Sequence, residues 1–227
     1  MLLNLILLAA MTLPLKADLN ATIERLAAAA VDYPQTADPE RLAELNALAE
    51  WIAEQPAETP TELIFICTHN SRRSHMGQIW AQAAAWHHGL DDVRTYSGGT
   101  EATAFNPRAV RALRDLGVGI HTPDPGAANP TYQVHLQPEQ PATAAWSKVY
   151  SDPENPQRGF AAVMTCSSAD EACPLVFGSD SRFAIPYVDP KAADGTAAEA
   201  TTYRERAEQI GTEMFYVMAR AAAARNR

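Results

Sequence analysis

The chain has 227 residues, 47% of them hydrophobic, which is enough apolar material for one good core and a length that suits one domain with additions. A formal net charge of −9 with a pI near 5.1 argues against a nucleic-acid-binding surface or an anionic membrane as partner, so a protein of this charge that binds anions must gather its positive charge locally. Three cysteines leave one over from any set of permanent pairs, which suits redox chemistry better than a disulfide framework.

Residues 2–15 are an apolar run too short to span a bilayer comfortably, followed by Lys16 and Ala17. The run reads equally as a signal-peptide core cut after Ala17 and as an apolar N-terminal helix, and neither is a stable membrane anchor. From Asp18 to Gln55 the chain is helical in character. Leu19–Val31 is alanine-rich, Asp38-Pro39-Glu40 reads as an N-cap with a first-turn proline, and Leu42, Leu45, Leu48 and Ile52 mark one apolar face. Two helices are expected, lying over the main domain or a partner subunit. Pro56 to Pro60 is a linker, so residues 18–60 form a helical extension and residues 61–227 the domain proper.

Leu63-Ile64-Phe65-Ile66 reads as a buried parallel strand ending at Cys67, and Met76, Ile79, Trp80 and Ala83 carry helical spacing after the polar run. Five residues separate Cys67 from Arg73. A loop of that length can curl so that the N–H groups of Thr68, His69, Asn70, Ser71, Arg72 and Arg73 face one point, where the helix N-terminus and the Arg73 fork also favour an oxyanion. Arg72 adds a second cation. The same field favours the thiolate of Cys67 as a nucleophile, and Ser74 can donate a hydrogen bond to it. A buried structural cysteine beside a solvated basic turn is the bland alternative; the order strand, loop, helix speaks for the anion site.

The Cys67-x5-Arg73-Ser74 segment resembles the anion loop shared by low-molecular-weight protein tyrosine phosphatases and thioredoxin-coupled arsenate reductases, with a resemblance extending over roughly residues 60–218. Downstream, a helix runs from about Ser74 to His88 and stops at Gly89. Val93–Ser97 reads as the second strand, Gly98-Gly99 permits close backbone approach, and Asn106 to Gly117 holds another capped helix. This alternation implies an α/β fold of flavodoxin-like type, a doubly wound parallel sheet of about four strands with helices on both faces, whose ligand sits at the carboxyl ends of the strands. Residues 122–159 are proline- and glycine-punctuated, with short candidate strands at 132–136 and 147–150. They are read as an insertion or flap, and more readily as a plain surface excursion than as a gate to the site.

Phe160–Thr165 repeats the pattern of an apolar run ending in a cysteine, Cys166, and Cys173 follows after six residues in a polar, mobile or loosely helical segment. The spacing does not fit a zinc pair and suits thiol exchange. The resemblance to the reductases implies that Cys166 and Cys173 relay oxidation away from the anion loop. Ala184–Val188 reads as the last strand, and the family places a general acid in the Asp-Pro dipeptide at its tip, here Asp189-Pro190, before a long helix over about residues 197–222.

The function implied is arsenate reduction, with Cys67, Arg73, Asp189, Cys166 and Cys173 as the reacting set, residues 68–74 binding the oxyanion, and a thioredoxin-like reductant as partner. No metal or organic cofactor is required. Gln78 stands where some relatives use a carboxylate for potassium, beside Asn70 and Ser97, and argues against that ion; His69 replaces a glycine of the reductases. His75, His87 and His88 are expected at the surface or as caps. A phosphatase needing only Cys67, Arg73 and Asp189 is the alternative, and a non-catalytic thiol redox sensor the third reading. The chemistry suggests the cytoplasm, and a cleaved residue 1–17 leader would suggest export.

Overall fold

The computed structural model describes residues 18–56, 58–137, 140–172 and 175–226; the apolar run at 2–15, the cleavage point after Ala17, and Cys173 lie outside the described residues. Helix α1 (Leu19–Thr36) is capped by Asp18, whose carboxylate accepts from the Asn20 N–H at 3.1 Å. Helix α2 (Pro39–Glu54) is capped by Asp38, which accepts from the N–H groups of Glu40 and Arg41 at 2.9 and 3.1 Å. Each cap satisfies donors that the first turn leaves free, a contribution of about 1 kcal/mol. Leu45, Leu48 and Ile52 are fully buried and Leu42 partly so, as the apolar stripe predicts.

The chain then alternates strand and helix: β1 (Thr61–Cys67), α3 (Arg73–His87), β2 (Val93–Gly99) and α4 (Pro107–Asp115), the last capped by the Asn106 side chain. Three short strands follow, β3 (Gly119–His121), β4 (Tyr132–His135) and β5 (Thr143–Ala145), and pair antiparallel in that order. β6 (Phe160–Met164), α5 (Ser167–Ala172), β7 (Ser179–Ala184), a 3-10 turn at Pro190–Ala193 and α6 (Glu199–Arg225) complete it. The main sheet has the order β2-β1-β6-β7 and every pair in it is parallel. β1 thus has its sequence successor β2 on one side and β6 on the other, which makes its carboxyl end a topological switch point, where ligands bind in sheets of this kind.

The two faces of the sheet bury different cores. Leu63, Phe65, Ala161 and Val163 join the larger one, with α3, α6 and the two N-terminal helices. Ile64, Ile66, Ala162 and Met164 form the smaller one with Phe160, Ala169 of α5, Val176 and both Cys67 and Cys166. Among the described residues no helix is long and apolar enough to cross a membrane.

Two strands differ from expectation. The last strand is Ser179–Ala184, ahead of the apolar run 184–188. As the sheet edge it pairs on one side only, with β6, so its polar Ser179, Asp180, Ser181 and Arg182 meet water and the hydrophobic signal is lost. The expected strand at 147–150 is a single bridge between Val149 and Gly99. Residues 122–159 are also more than a surface excursion, since their second half forms the wall of the candidate site.

Candidate active site

Cys67 ends β1 with its side chain buried, and the loop turns back at Asn70, whose φ of +43° lies in the left-handed region that asparagine tolerates better than most residues. The Asn70 amide holds the turn from both sides: Nδ2 donates to Ser74 Oγ at 2.9 Å and Oδ1 accepts from the Lys148 N–H at 2.8 Å. Ser74 Oγ lies 3.1 Å from Cys67 Sγ. Because it accepts from Asn70, its own proton is free to be given to sulfur, as the sequence suggested.

The rest of the loop is pinned at carbonyls and side chains. His69 C=O accepts from Ser147 Oγ and Thr103 Oγ1 at 3.0 and 3.1 Å. Thr68 C=O accepts from Thr100 Oγ1 and from the Glu101 N–H at 3.1 and 2.9 Å. Ser71 Oγ donates to Ala104 C=O at 2.8 Å, and Asn129 brackets Ser147 through both its backbone groups. Among the described residues none accepts from the backbone N–H groups of Thr68 to Arg72. Five consecutive donors are therefore available to an anion, and α3 begins directly after them with no side-chain cap. Gly99 presses on this loop: a Cβ there would stand 2.3 Å from Glu101 O and 2.7 Å from both Asn70 N and Thr68 O.

Arg73 Nη1 donates to Tyr187 C=O at 2.9 Å and Nη2 to Asp189 Oδ2 at 2.8 Å, while its Nε is buried with no partner among the described residues. The other carboxylate oxygen of Asp189 accepts from the Lys191 N–H at 3.0 Å. The structure thus brings Cys67, Ser74, Arg73 and Asp189 into one neighbourhood. Arg72 donates to Tyr203 OH at 2.8 Å and lies 3.6 Å from Asp194 and 3.9 Å from Asp189. His69 is half-exposed with Nε2 2.9 Å from Glu101 Oε1.

Cys166 sits two residues beyond the end of β6, fully buried, with Sγ 3.5 Å from Thr68 Oγ1 and accepting from the Ala169 N–H at 3.4 Å. Residues Ser167–Ala172 after it form the short helix α5, in keeping with the helical alternative expected for this segment, and Arg182 ties it to β7 through the side chain and carbonyl of Asp170.

His75 corrects the expectation of a surface or capping histidine. It is completely buried, stacked on Phe105 at a centroid distance of 3.9 Å with Nδ1 3.2 Å from Ser97 Oγ, and burial, then the Lys148 charge, lowers its pKa to about 3. His88 is lowered to about 4 by burial and then by His87. Gln78 is buried and donates to Thr95 C=O at 3.2 Å. Among the described residues no group of three or more His, Cys, Asp or Glu side chains could hold a metal. Ser147, Lys148 and Asn129 were not foreseen as parts of the site. They act through a backbone N–H, the Ser147 hydroxyl and a lone amide, and no local pattern announces them. Lys148 is itself buried, its ammonium 4.0 Å from the Trp146 ring centre, and burial lowers its pKa to about 8.

The candidate site thus gathers a thiol at the switch point, five N–H donors without a partner among the described residues, an arginine and a carboxylate. Residues 62–134 match the family described as low molecular weight phosphotyrosine protein phosphatase. An arsenate reductase of Bacillus licheniformis is 29% identical over 150 residues, 66% of this chain and 88% of that protein. One from Bacillus subtilis is 28% identical over 153 residues, 67% of this chain and 91% of that protein. Among solved structures, a YwlE mutant from Bacillus subtilis aligns with a TM-score of 0.49 at 17% identity, over 74% of this chain and all of that one. The chain is similar to the low-molecular-weight phosphatases over residues 62–134 and to these arsenate reductases over about two thirds of its length.

Proposed function

We propose that this chain reduces arsenate through a Cys67 adduct and passes the resulting disulfide to Cys166 and then to Cys173, from which a thioredoxin-like dithiol removes it. The observation that carries the reading is the burial of Cys166 in one cluster with Cys67, its sulfur 3.5 Å from the first residue of the anion loop. A phosphatase has no use for a second thiol there. The relatives named as arsenate reductases support the same reading.

Arsenate binds the N–H groups of residues 68–73 and Arg73. The Cys67 thiolate attacks arsenic, and the As–OH oxygen leaves as water with a proton from Asp189. Cys166 thiolate then attacks Cys67 Sγ; the S–As bond breaks with its electron pair passing to arsenic, which departs as arsenite. Cys173 attacks Cys166 Sγ, returning Cys67 as thiolate, and the incoming dithiol reduces the Cys166–Cys173 disulfide. In this proposal residues 61–227 are the catalytic domain and residues 18–60 an extension of it.

The test is arsenite production by the purified protein with thioredoxin, thioredoxin reductase and NADPH. Wild type is expected to turn over many times, and Cys166→Ser and Cys173→Ser to stop. The Arg73–Asp189 pair is complete without Cys166 and favours phosphate-ester hydrolysis as the second reading. Hydrolysis that survives both substitutions, with no arsenate-dependent turnover, would replace the first reading by the second.

A further inference from the structure

Helices α1 and α2 lie outside the residues that match the phosphatase family, yet they reach its most important cation through one continuous chain of contacts. Glu213 of α6 is buried, with 1% of its side chain exposed. Arg41 of α2 grips Glu213 Oε2 through Nε at 3.2 Å and Nη2 at 2.6 Å, and Tyr33 of α1 donates to Oε1 at 2.8 Å. A guanidinium held by two bonds converging on one oxygen of a buried carboxylate has little freedom left. It lies over the buried ring of Tyr187, its central carbon 4.5 Å from the ring centre. The carbonyl of that same Tyr187 accepts from Arg73 Nη1, and Asp189, two residues on, accepts from Nη2.

The stretch that carries these two acceptors needs such support. It lies past the end of β7, and Val188 between them is 71% exposed and anchors nothing. Its backbone is held at the Tyr187 N–H, which donates to Thr165 C=O at 3.1 Å; the Tyr187 ring is its inward side-chain hold, and Arg41 covers that ring.

We propose that Arg41 is a positioning residue for Arg73: the N-terminal helix pair is a working part of the oxyanion site, setting the Tyr187–Asp189 stretch on which the Arg73 fork is aligned. The inference rests on residues 67–74 being an oxyanion site. Arg41 touches no reacting atom. Its loss would let the fork drift, and misplacements of this kind weaken the interaction with the anion rather than abolish the nucleophile.

The experiment reads anion binding without requiring turnover. In the full chain with Cys166→Ser and Cys173→Ser, so that Cys67 is the one thiol, the rate of alkylation by iodoacetamide is followed against inorganic phosphate, and the half-protecting concentration is taken as the binding constant. Arg41→Met leaves the Glu213 charge bare, so Arg41→Met/Glu213→Gln, which removes both charges, is the informative variant, with folding checked by circular dichroism. The half-protecting concentration is expected to rise about tenfold, below the hundredfold that an ångström of misplacement at a site can cost. Tyr33→Phe, which takes another partner from Glu213 without touching Tyr187, is expected to lower the melting temperature and leave protection unchanged. Wild-type protection in the folded double variant overturns the inference, as does an equal shift in Tyr33→Phe, which would mean general loosening. Absence of phosphate protection in the Arg41-containing parent would instead overturn the oxyanion reading, and the inference with it.

Discussion

His75 is the residue whose burial most changes the behaviour of the molecule. Its ring is neutral when folded, because its pKa is about 3 there, whereas the unfolded chain takes up a proton near the ordinary value of about 6.5. A base with a depressed folded pKa stabilises the native state fully above the unfolded value, and the contribution drains away as pH falls from 6.5 towards 3. Between pH 7 and pH 5 this single group is expected to remove about 2 kcal/mol of stability. Urea unfolding at both pH values measures it, with His75→Asn reducing the difference by that amount. An unchanged difference would mean that His75 is charged in the native state. None of this was legible locally: His75 follows a polar loop, and its burial depends on Phe105 and Ser97, which arrive 30 and 22 residues later.

At the level of elements, the parallel register sets the two cysteine-bearing strand ends side by side, as the proposed relay requires. Ile66 pairs with Met164, and the Thr165 N–H continues to Ile66 C=O at 2.7 Å. Cys166 therefore stands one residue past the level of Cys67 on the neighbouring strand. A strand spacing near 4.8 Å and a rise near 3.3 Å put the two Cα atoms about 6 Å apart, inside the range that a disulfide spans. The loop over these tips depends on a bare Gly99. Gly99→Ala would drive a methyl into the carbonyl of Glu101 and the backbone of Asn70 and Thr68. The expected result is a loss of about 1–3 kcal/mol from overpacking, with oxyanion binding lost before the fold; urea titration and phosphate protection of Cys67 follow the two effects separately. β1 was readable because it is apolar on both faces. β7 was not, because an edge strand carries Ser179 to Arg182 in water. The anion loop was readable because its chemistry is concentrated in seven consecutive residues, while Arg41 and Glu213 meet across 172 positions, a distance that no window of sequence spans.

On the scale of the whole molecule, the extension and the domain share one core. Ile23, Leu26, Leu45 and Leu48 are in the same buried cluster as Phe65, Trp80 and Met214, and Arg225 near the end of α6 bonds Asp92 and the Ile52 carbonyl of α2 at 2.6 and 2.9 Å. Residues 18–60 are therefore expected to unfold together with the rest in a single calorimetric transition; a separate early transition for the helix pair would show that the shared core is not cooperative. The uncapped start of α3 gives that transition a second meaning. Under the proposed oxyanion reading, donors that no side chain satisfies would make the native state a receptor whose ligand is part of its own thermodynamics, since an anion that binds only the folded loop shifts the folding equilibrium by mass action. A phosphate buffer at a hundred times the dissociation constant would add about 2.7 kcal/mol, so the measured stability of this protein would report the composition of its solvent as much as the quality of its core.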